Sequence, residues 1–102
     1  MAVLKITKDN YEKEVLNSKT PVLIDFWANW CMPCRMLGPI IEEISEKNID
    51  VKICKIDIDE EMELAQKFQV MSIPTLVYVK EGKEEKRTVG VRPKEEIEEM
   101  IK

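Results

Sequence analysis

The stretch Val22-Leu23-Ile24-Asp25-Phe26-Trp27-Ala28-Asn29-Trp30-Cys31-Met32-Pro33-Cys34 decides how this chain folds. Residues 22–28 are apolar except Asp25, which is typical of a central strand covered on both faces. Cys31 and Cys34 follow at the expected start of a helix. A helix start favours a thiolate, because unpaired backbone N–H groups and the positive end of the helix dipole lie there. The pattern therefore predicts a dithiol that makes or breaks disulfides.

The size and composition of the chain limit the classes of protein it can belong to. Its 102 residues predict one domain spanning residues 1–102. The net charge is -4 and lysines are intermixed with glutamates, so we expect no nucleic-acid partner. No apolar run approaches the ~20 residues that span a bilayer, and residues 1–6 lack the apolar core of a signal peptide. We therefore expect a cytoplasmic protein without a membrane anchor.

Hydrophobic periodicity and turn signals predict an α/β protein with the element order β-α-β-α-β-α-β-β-α. The expected strands are residues 3–6, 22–28, 51–57, 75–79 and 83–89. Four helices are expected. The first is capped by Asp9 and runs to about Leu16, and the second begins near Cys34 and is kinked at Pro39. The third covers residues 60–68, and the fourth has Pro93 in its first turn. The early βαβ units predict parallel strands, and the terminal hairpin adds antiparallel ones.

The cysteine inventory separates a catalytic pair from a structural framework. Three cysteines cannot all pair within one chain, so a close pair is either catalytic or metal-binding. Structural zinc usually takes four ligands, whereas this chain has no histidine and places Cys54 on a strand away from the pair. We therefore expect no metal site, and we interpret Cys54 as a buried thiol that packs as a small hydrophobe.

The sequence resembles the thioredoxin family over essentially its whole length. The family pattern Asp-Phe-Trp-Ala-x-Trp-Cys-Gly-Pro-Cys-Lys reads here as Asp25-Phe26-Trp27-Ala28-Asn29-Trp30-Cys31-Met32-Pro33-Cys34-Arg35. Further matches are Pro39, Lys55-Ile56-Asp57-Ile58-Asp59, Ile73-Pro74-Thr75, Gly82 and Gly90. The resemblance implies a thioredoxin fold, in which a central mixed sheet of five strands is flanked by four helices.

The resemblance also implies a role for each residue of the reactive site. Cys31 attacks a target disulfide, and Cys34 then resolves the mixed disulfide by attacking Cys31. Asp25 lies beneath the cysteines and exchanges the proton of Cys34 through water, with Lys55 as its charged neighbour. The resemblance implies no bound cofactor, since the Cys31–Cys34 pair itself carries two electrons as a dithiol and releases them on forming its redox-active disulfide.

Substrate binding is expected on an apolar rim around Cys31. The resemblance implies a cis peptide at Ile73–Pro74, which turns the Ile73 backbone toward an extended target peptide. The rim residues are Trp30, Ile58, Ile73, Pro74 and Gly90. The implied partners are a flavoprotein thioredoxin reductase, which supplies electrons, and disulfide-containing target proteins, which receive them. The expected oligomeric state is a monomer.

Two positions depart from the family pattern. Met32 replaces the usual glycine and Arg35 replaces the usual lysine, so a cation is kept but the dipeptide between the sulfurs, Met32-Pro33, is altered. That dipeptide tunes the redox potential in this family. Besides the reductase, an oxidant or isomerase of the same fold is therefore a second possible assignment. A glutathione-dependent glutaredoxin and a non-catalytic or metal-binding module are further alternatives.

Overall fold

The computed structural model describes residues 3–102, and the elements follow the predicted order. The expectation about a signal peptide concerns residues 1 and 2 in part, and these lie outside that range. The strands are β1 (Leu4–Lys5), β2 (Val22–Trp27), β3 (Lys52–Asp57), β4 (Thr75–Lys80) and β5 (Lys83–Val89). The helices are a π-helical segment (Glu12–Leu16), α1 (Met32–Lys47), α2 (Met62–Lys67) and α3 (Lys94–Met100).

The five strands form one mixed sheet in the order β1-β3-β2-β4-β5. β1 and β2 both run parallel to β3, whereas β4 runs antiparallel to β2 and to β5. This confirms the predicted thioredoxin fold. The reactive segment therefore leaves the carboxyl end of β2, which lies in the middle of the sheet.

Alternation along the strands divides the core into two layers. On β2, Val22, Ile24 and Phe26 face the layer that also holds the π-helical segment and α2. Leu23 faces the opposite layer, which α1 and α3 cover with Leu37, Ile41, Ile44, Ile97 and Met100. Because successive strand residues point to opposite faces, Asp25 shares the α1 side with Leu23. The register thus directs the only acidic side chain of β2 toward the helix that begins at the cysteines.

Some predicted helix boundaries were wrong. Asp9 does not cap the first helical segment, whose N-cap position is Tyr11 without a side-chain hydrogen bond. The polar side chains close the preceding turn instead: Thr7 N–H donates to Asn10 Oδ1 at 2.7 Å, and Asp9 N–H donates to Thr7 Oγ1 at 3.2 Å. These bonds leave Asp9 outside the helix.

Other helix boundaries shift by one or two residues: α2 spans Met62–Lys67 instead of residues 60–68. Pro93 adopts an extended backbone and is the N-cap of α3, so the helix begins one residue later than predicted. α1 begins at Met32, close to the predicted start near Cys34, and it continues through Pro39 to Lys47. The kink at Pro39 stays a prediction. Among residues 3–102, no helix is long and apolar enough to cross a membrane.

Candidate active site

Cys31 and Cys34 form a disulfide at the start of α1. Cys31 is the N-cap residue, with an extended backbone at φ -94° and ψ 106°, and its Sγ accepts a hydrogen bond from the Cys34 N–H at 3.2 Å. The two Cα atoms are 5.3 Å apart. Both cysteines are almost fully buried, with 4% of Cys31 and 3% of Cys34 exposed. The Cys34 N–H, which belongs to the helix start and has no carbonyl partner within the helix, therefore binds the sulfur of Cys31.

Asp25 lies next to the disulfide, inside the protein. It lines a pocket of about 180 Å³ that Cys34 also lines. The residue is 5% exposed, and no group among residues 3–102 donates a hydrogen bond to its carboxyl Oδ1. Burial raises the pKa of Asp25 from 3.8 to about 7, although the positive charge of Lys55 acts in the opposite direction. The carboxyl can therefore take up or release a proton near neutral pH.

Lys55 lines the same pocket from the neighbouring strand. It lies directly opposite Asp25 in the parallel register of β2 and β3. Its ammonium stands 5.5 Å from the centroid of the Trp27 ring, in a cation–π contact. Trp27 in turn packs against the cluster of Ala28, Cys31 and Cys34. The structure therefore brings Asp25, Lys55 and Cys34 together, as the sequence predicted, and adds Trp27 as the group that holds the Lys55 side chain.

The backbone on the open side of the disulfide comes from the segment before β4. The Ile73–Pro74 peptide is cis, as expected, and the Ile73 carbonyl oxygen lies 3.8 Å from Cys31 Sγ. Ile58 and Ile73 pack against the cysteine cluster, whereas the Trp30 side chain is 69% exposed. A groove of about 310 Å³ runs beside the disulfide; its lining residues are Trp30, Ile58, Val70, Met71, Ser72 and Ile73. Three predicted rim residues therefore share one groove.

Pro74 and Gly90 lie on the β4–β5 side of the rim. Pro74 is buried, and its carbonyl accepts a hydrogen bond from the Gly90 N–H at 2.8 Å. Gly90 has a φ of +93°, which favours glycine, and a Cβ there would meet no atom within 4 Å. Glycine is thus required by the backbone angle, and the space outside it is open. The flanking Val89 and Val91 are 46% and 40% exposed, which extends the apolar surface.

The two residues between the cysteines lie in the first turn of α1. Met32 is its first residue and is 64% exposed, and Pro33 is exposed as well. Arg35 is exposed and lines the pocket of Asp25. No acidic residue occupies this first turn, so nothing there opposes a negative charge on Cys31.

The sequence reasoning missed several residues of the site. Asp59 accepts a hydrogen bond from Trp30 Nε1 at 2.8 Å and so orients the exposed indole. Val70, Met71 and Ser72 complete the groove. Trp30 and Asp59 are 29 positions apart, and no local pattern joins them. The family motif places Asp59 two residues after Asp57, which was the one signal available for it.

The rest of the described chain offers little for a metal. Residues 3–102 contain no group of three or more histidine, cysteine, aspartate or glutamate side chains arranged to hold an ion.

Cys54 is fully buried, and burial raises the pKa of its thiol to about 12. It packs in the layer of Ile24, Phe26 and Ile56. This placement agrees with the interpretation of Cys54 as a small hydrophobe.

Fold and site together define a thiol–disulfide exchange protein: a mixed sheet whose central strand leads into a Cys-x-x-Cys disulfide at a helix start, with a buried carboxyl behind it. A family model described as Thioredoxin matches residues 2–102. The chain belongs to the thioredoxin family, and its Cys31–Cys34 pair is a redox-active pair of that family's protein-disulfide oxidoreductases.

Individual relatives agree with this assignment. The chain is 47% identical to the thioredoxin of Mycobacterium tuberculosis (strain ATCC 25618 / H37Rv) over 94 residues, which cover 91% of this chain and 81% of the relative. It is 45% identical to the thioredoxin of Bacillus subtilis (strain 168) over 102 residues, covering 99% and 96%. It is 48% identical to the thioredoxin of Listeria monocytogenes (serovar 1/2a, strain EGD-e) over 100 residues, covering 97% and 95%.

Proposed function

We propose that this protein is a general reductant of protein disulfides that contributes to cell redox homeostasis. The observation that carries the proposal is the shared pocket of Asp25 and Cys34, where burial raises the pKa of a carboxyl to about 7 directly behind the disulfide. A disulfide that only braced the fold would need no proton acceptor. A dithiol that must repeatedly lose and regain protons does need one.

The exchange takes place in two steps. The Cys31 thiolate attacks one sulfur of a target disulfide; a Cys31–target bond forms, the target S–S bond breaks, and one target thiolate leaves. Cys34 then loses its proton and attacks Cys31 Sγ, which forms the Cys31–Cys34 disulfide and releases the second target thiolate. Two electrons have passed from the dithiol to the target. The second step is intramolecular, so the mixed disulfide is short-lived.

Asp25 is the proposed proton acceptor for Cys34. Its ionised form takes the proton through a water in the pocket, which has room for one at about 180 Å³. Lys55 is its proposed charge partner, because its positive charge favours the carboxylate. Held over Trp27, Lys55 stays near the pocket without closing an ion pair of its own with Asp25.

Targets are proposed to bind as extended peptides across the rim. The Ile73 backbone lies next to Cys31 Sγ and offers main-chain hydrogen-bonding groups to a strand-like peptide. Trp30, Ile58 and Ile73 supply apolar contact, and Pro74 and Gly90 are proposed to contact the peptide on the other side, where the space outside Gly90 is open. Met32 and Pro33 are proposed to tune the potential and the choice of partner.

The remaining parts of the proposal concern the cellular setting. We infer a cytoplasmic monomer in which residues 1–102 act as one catalytic domain without a bound cofactor. A flavoprotein thioredoxin reductase would return two electrons to the Cys31–Cys34 disulfide after each cycle. The support for this setting is family membership over residues 2–102.

The test is stoichiometric reduction of insulin by the reduced protein. We expect about two insulin thiols to appear for each Cys31–Cys34 disulfide formed. Cys34→Ser should accumulate a mixed disulfide with insulin through Cys31, visible by mass under non-reducing conditions, and Cys31→Ser should form none. If the oxidised protein instead oxidises reduced insulin faster than the reduced protein cleaves native insulin, the oxidant or isomerase is the better assignment.

A further inference from the structure

Arg87 reaches from β5 to the chain segment that follows α2. Its Nη2 donates to the Phe68 carbonyl at 2.6 Å and its Nη1 to the Gln69 carbonyl at 3.5 Å. On the other side, Nε and Nη2 bind the Glu84 carboxylate at 2.7 and 2.8 Å. The side chain therefore connects the outer hairpin to the end of a helix 18 and 19 positions earlier.

The segment that Arg87 binds has an unusual backbone. Gln69 has a φ of +55°, a left-handed conformation in which helices usually end with glycine. Two hydrogen bonds of the helix end hold it: Gln69 N–H donates to Gln66, and Val70 N–H to Ala65, both at 3.0 Å. The Arg87 guanidinium adds a positive charge to the carbonyl end of α2, where the helix dipole is negative. A residue other than glycine is thus stabilised in a conformation it rarely adopts.

The same segment forms one wall of the groove beside the disulfide. Val70, Met71 and Ser72 line that groove together with Trp30, and Met71 is 93% exposed. The far end of the wall is anchored too, because Thr75 Oγ1 donates to the Ser72 carbonyl at 2.6 Å. Residues 70–72 therefore lie between two anchors, Arg87 on one side and Thr75 on the other, and the next residue is Ile73.

We propose that Arg87 is a positioning residue for substrate binding, which sets the place of the groove wall formed by residues 70–72. The proposal rests on the proposed function and concerns how an extended target peptide docks in this groove. Arg87 contacts neither the sulfurs nor the substrate. Its effect is on how well a protein substrate docks, while the exchange between sulfurs proceeds as before.

The experiment compares Arg87→Met with wild type on two disulfides of different size. With insulin, we expect KM to rise about fivefold at an unchanged kcat, because the wall loses its charged anchor. With dithiobis(nitrobenzoate), which is too small to span the groove, the rate should equal that of wild type. The midpoint potential of Cys31–Cys34 should also stay the same. Amide hydrogen exchange at residues 70–72 should speed up about tenfold, whereas exchange in β2 should not change.

Two further variants control for charge and folding. Arg87→Lys keeps the cation but lacks the planar guanidinium that binds two carbonyls and a carboxylate. Its KM for insulin should therefore lie between those of wild type and Arg87→Met. Lys47→Met removes a cation from a surface ion pair with Glu43 and should leave KM unchanged. An unchanged insulin KM in Arg87→Met, or an equal loss on both disulfides, would overturn the proposal. Failure of wild type to reduce insulin would instead reject the proposed function.

Discussion

Asp25 and Lys55 lie directly opposite each other on β2 and β3, yet the Lys55 ammonium stands over the Trp27 ring, 5.5 Å from its centroid. The carboxyl of Asp25 is left inside the protein with a nearby positive charge and with no donor to Oδ1 among residues 3–102. Its charged form is therefore costly, and its pKa is raised to about 7. The buried charge of Asp25 therefore lowers the stability of the fold at neutral pH, and it lies in the pocket that Cys34 also lines.

The first prediction concerns stability. Asp25 titrates at 3.8 when unperturbed and at about 7 in the folded protein, so the folded state binds more protons than the unfolded state between these values. Stability that is fully present below about pH 4 is therefore lost as the pH rises through about 7. Asp25→Asn has no carboxyl at this position, so its stability does not fall for this reason. We expect the oxidised variant to be more stable than wild type at pH 8, by at most about 4 kcal/mol, and nearly equal at pH 4.

Urea unfolding of both oxidised proteins at several pH values measures the difference. The other carboxyl groups titrate alike in both proteins and cancel in the comparison. A difference in unfolding free energy that is constant from pH 4 to pH 8 would show that Asp25 does not titrate in this range.

The second prediction concerns the resolving step. In the proposed mechanism the ionised Asp25 accepts the proton of Cys34, so the rate of mixed-disulfide breakdown should rise with pH through about 7. Asp25→Asn should lose this inflection and slow the step by about 100-fold at neutral pH. Rapid-quench measurement of a preformed Cys31 mixed disulfide gives the rate directly.

Lys55→Met tests the charge partner in the same assay. Loss of the positive charge removes the influence that lowers the pKa of Asp25, so the inflection should move to higher pH. Lys83→Met, which removes an exposed cation from β5, is the matched control and should leave the profile in place. If the inflection stays at the same pH in Lys55→Met, Lys55 has no influence on the proton transfer.

The third prediction concerns Met32. It is 64% exposed at the first position of α1, next to Cys31, so it adds apolar surface to the proposed docking surface. We expect Met32→Gly to change kcat/KM for insulin or for a thioredoxin reductase by about threefold or more, with little effect on dithiobis(nitrobenzoate). The comparison of the three rates, together with the midpoint potential, is the measurement. An unchanged kcat/KM for both insulin and the reductase, at an unchanged midpoint potential, would show that Met32 does not influence the choice of partner.

The fourth prediction concerns Cys54. The thiol is fully buried with a pKa raised to about 12, so iodoacetamide should not label it in the native oxidised protein. Cys54→Ala should retain full disulfide-reductase activity. Cys54→Ser should cost about 1–3 kcal/mol of unfolding free energy, because it buries a hydroxyl in an apolar layer. Labelling of the native protein by mass spectrometry, or a loss of activity in Cys54→Ala, would argue for a functional thiol.

The sequence predicted those parts of the molecule that depend on local patterns. The apolar run of β2 and the cysteines after it are contiguous, and the parallel and antiparallel pairings follow from the order of elements. The packing partners of the site were harder to predict. Arg87 contacts Phe68, and Trp30 contacts Asp59, only because the sheet brings distant segments together. The predicted N-cap at Asp9 was wrong because the side chains of Thr7 and Asn10 form hydrogen bonds that close a turn there, ahead of the helix.

The most direct test of the account is a redox equilibrium of the Cys31–Cys34 pair against a dithiol buffer, followed by the fluorescence of Trp27 and Trp30. Thioredoxins have a potential of about -270 mV, a value that comes from the family and not from the geometry of this chain. A reversible two-electron transition near that value is the predicted result. A midpoint tens of millivolts higher would make the protein an oxidant or isomerase, and the absence of any two-electron transition would contradict the catalytic role of the pair.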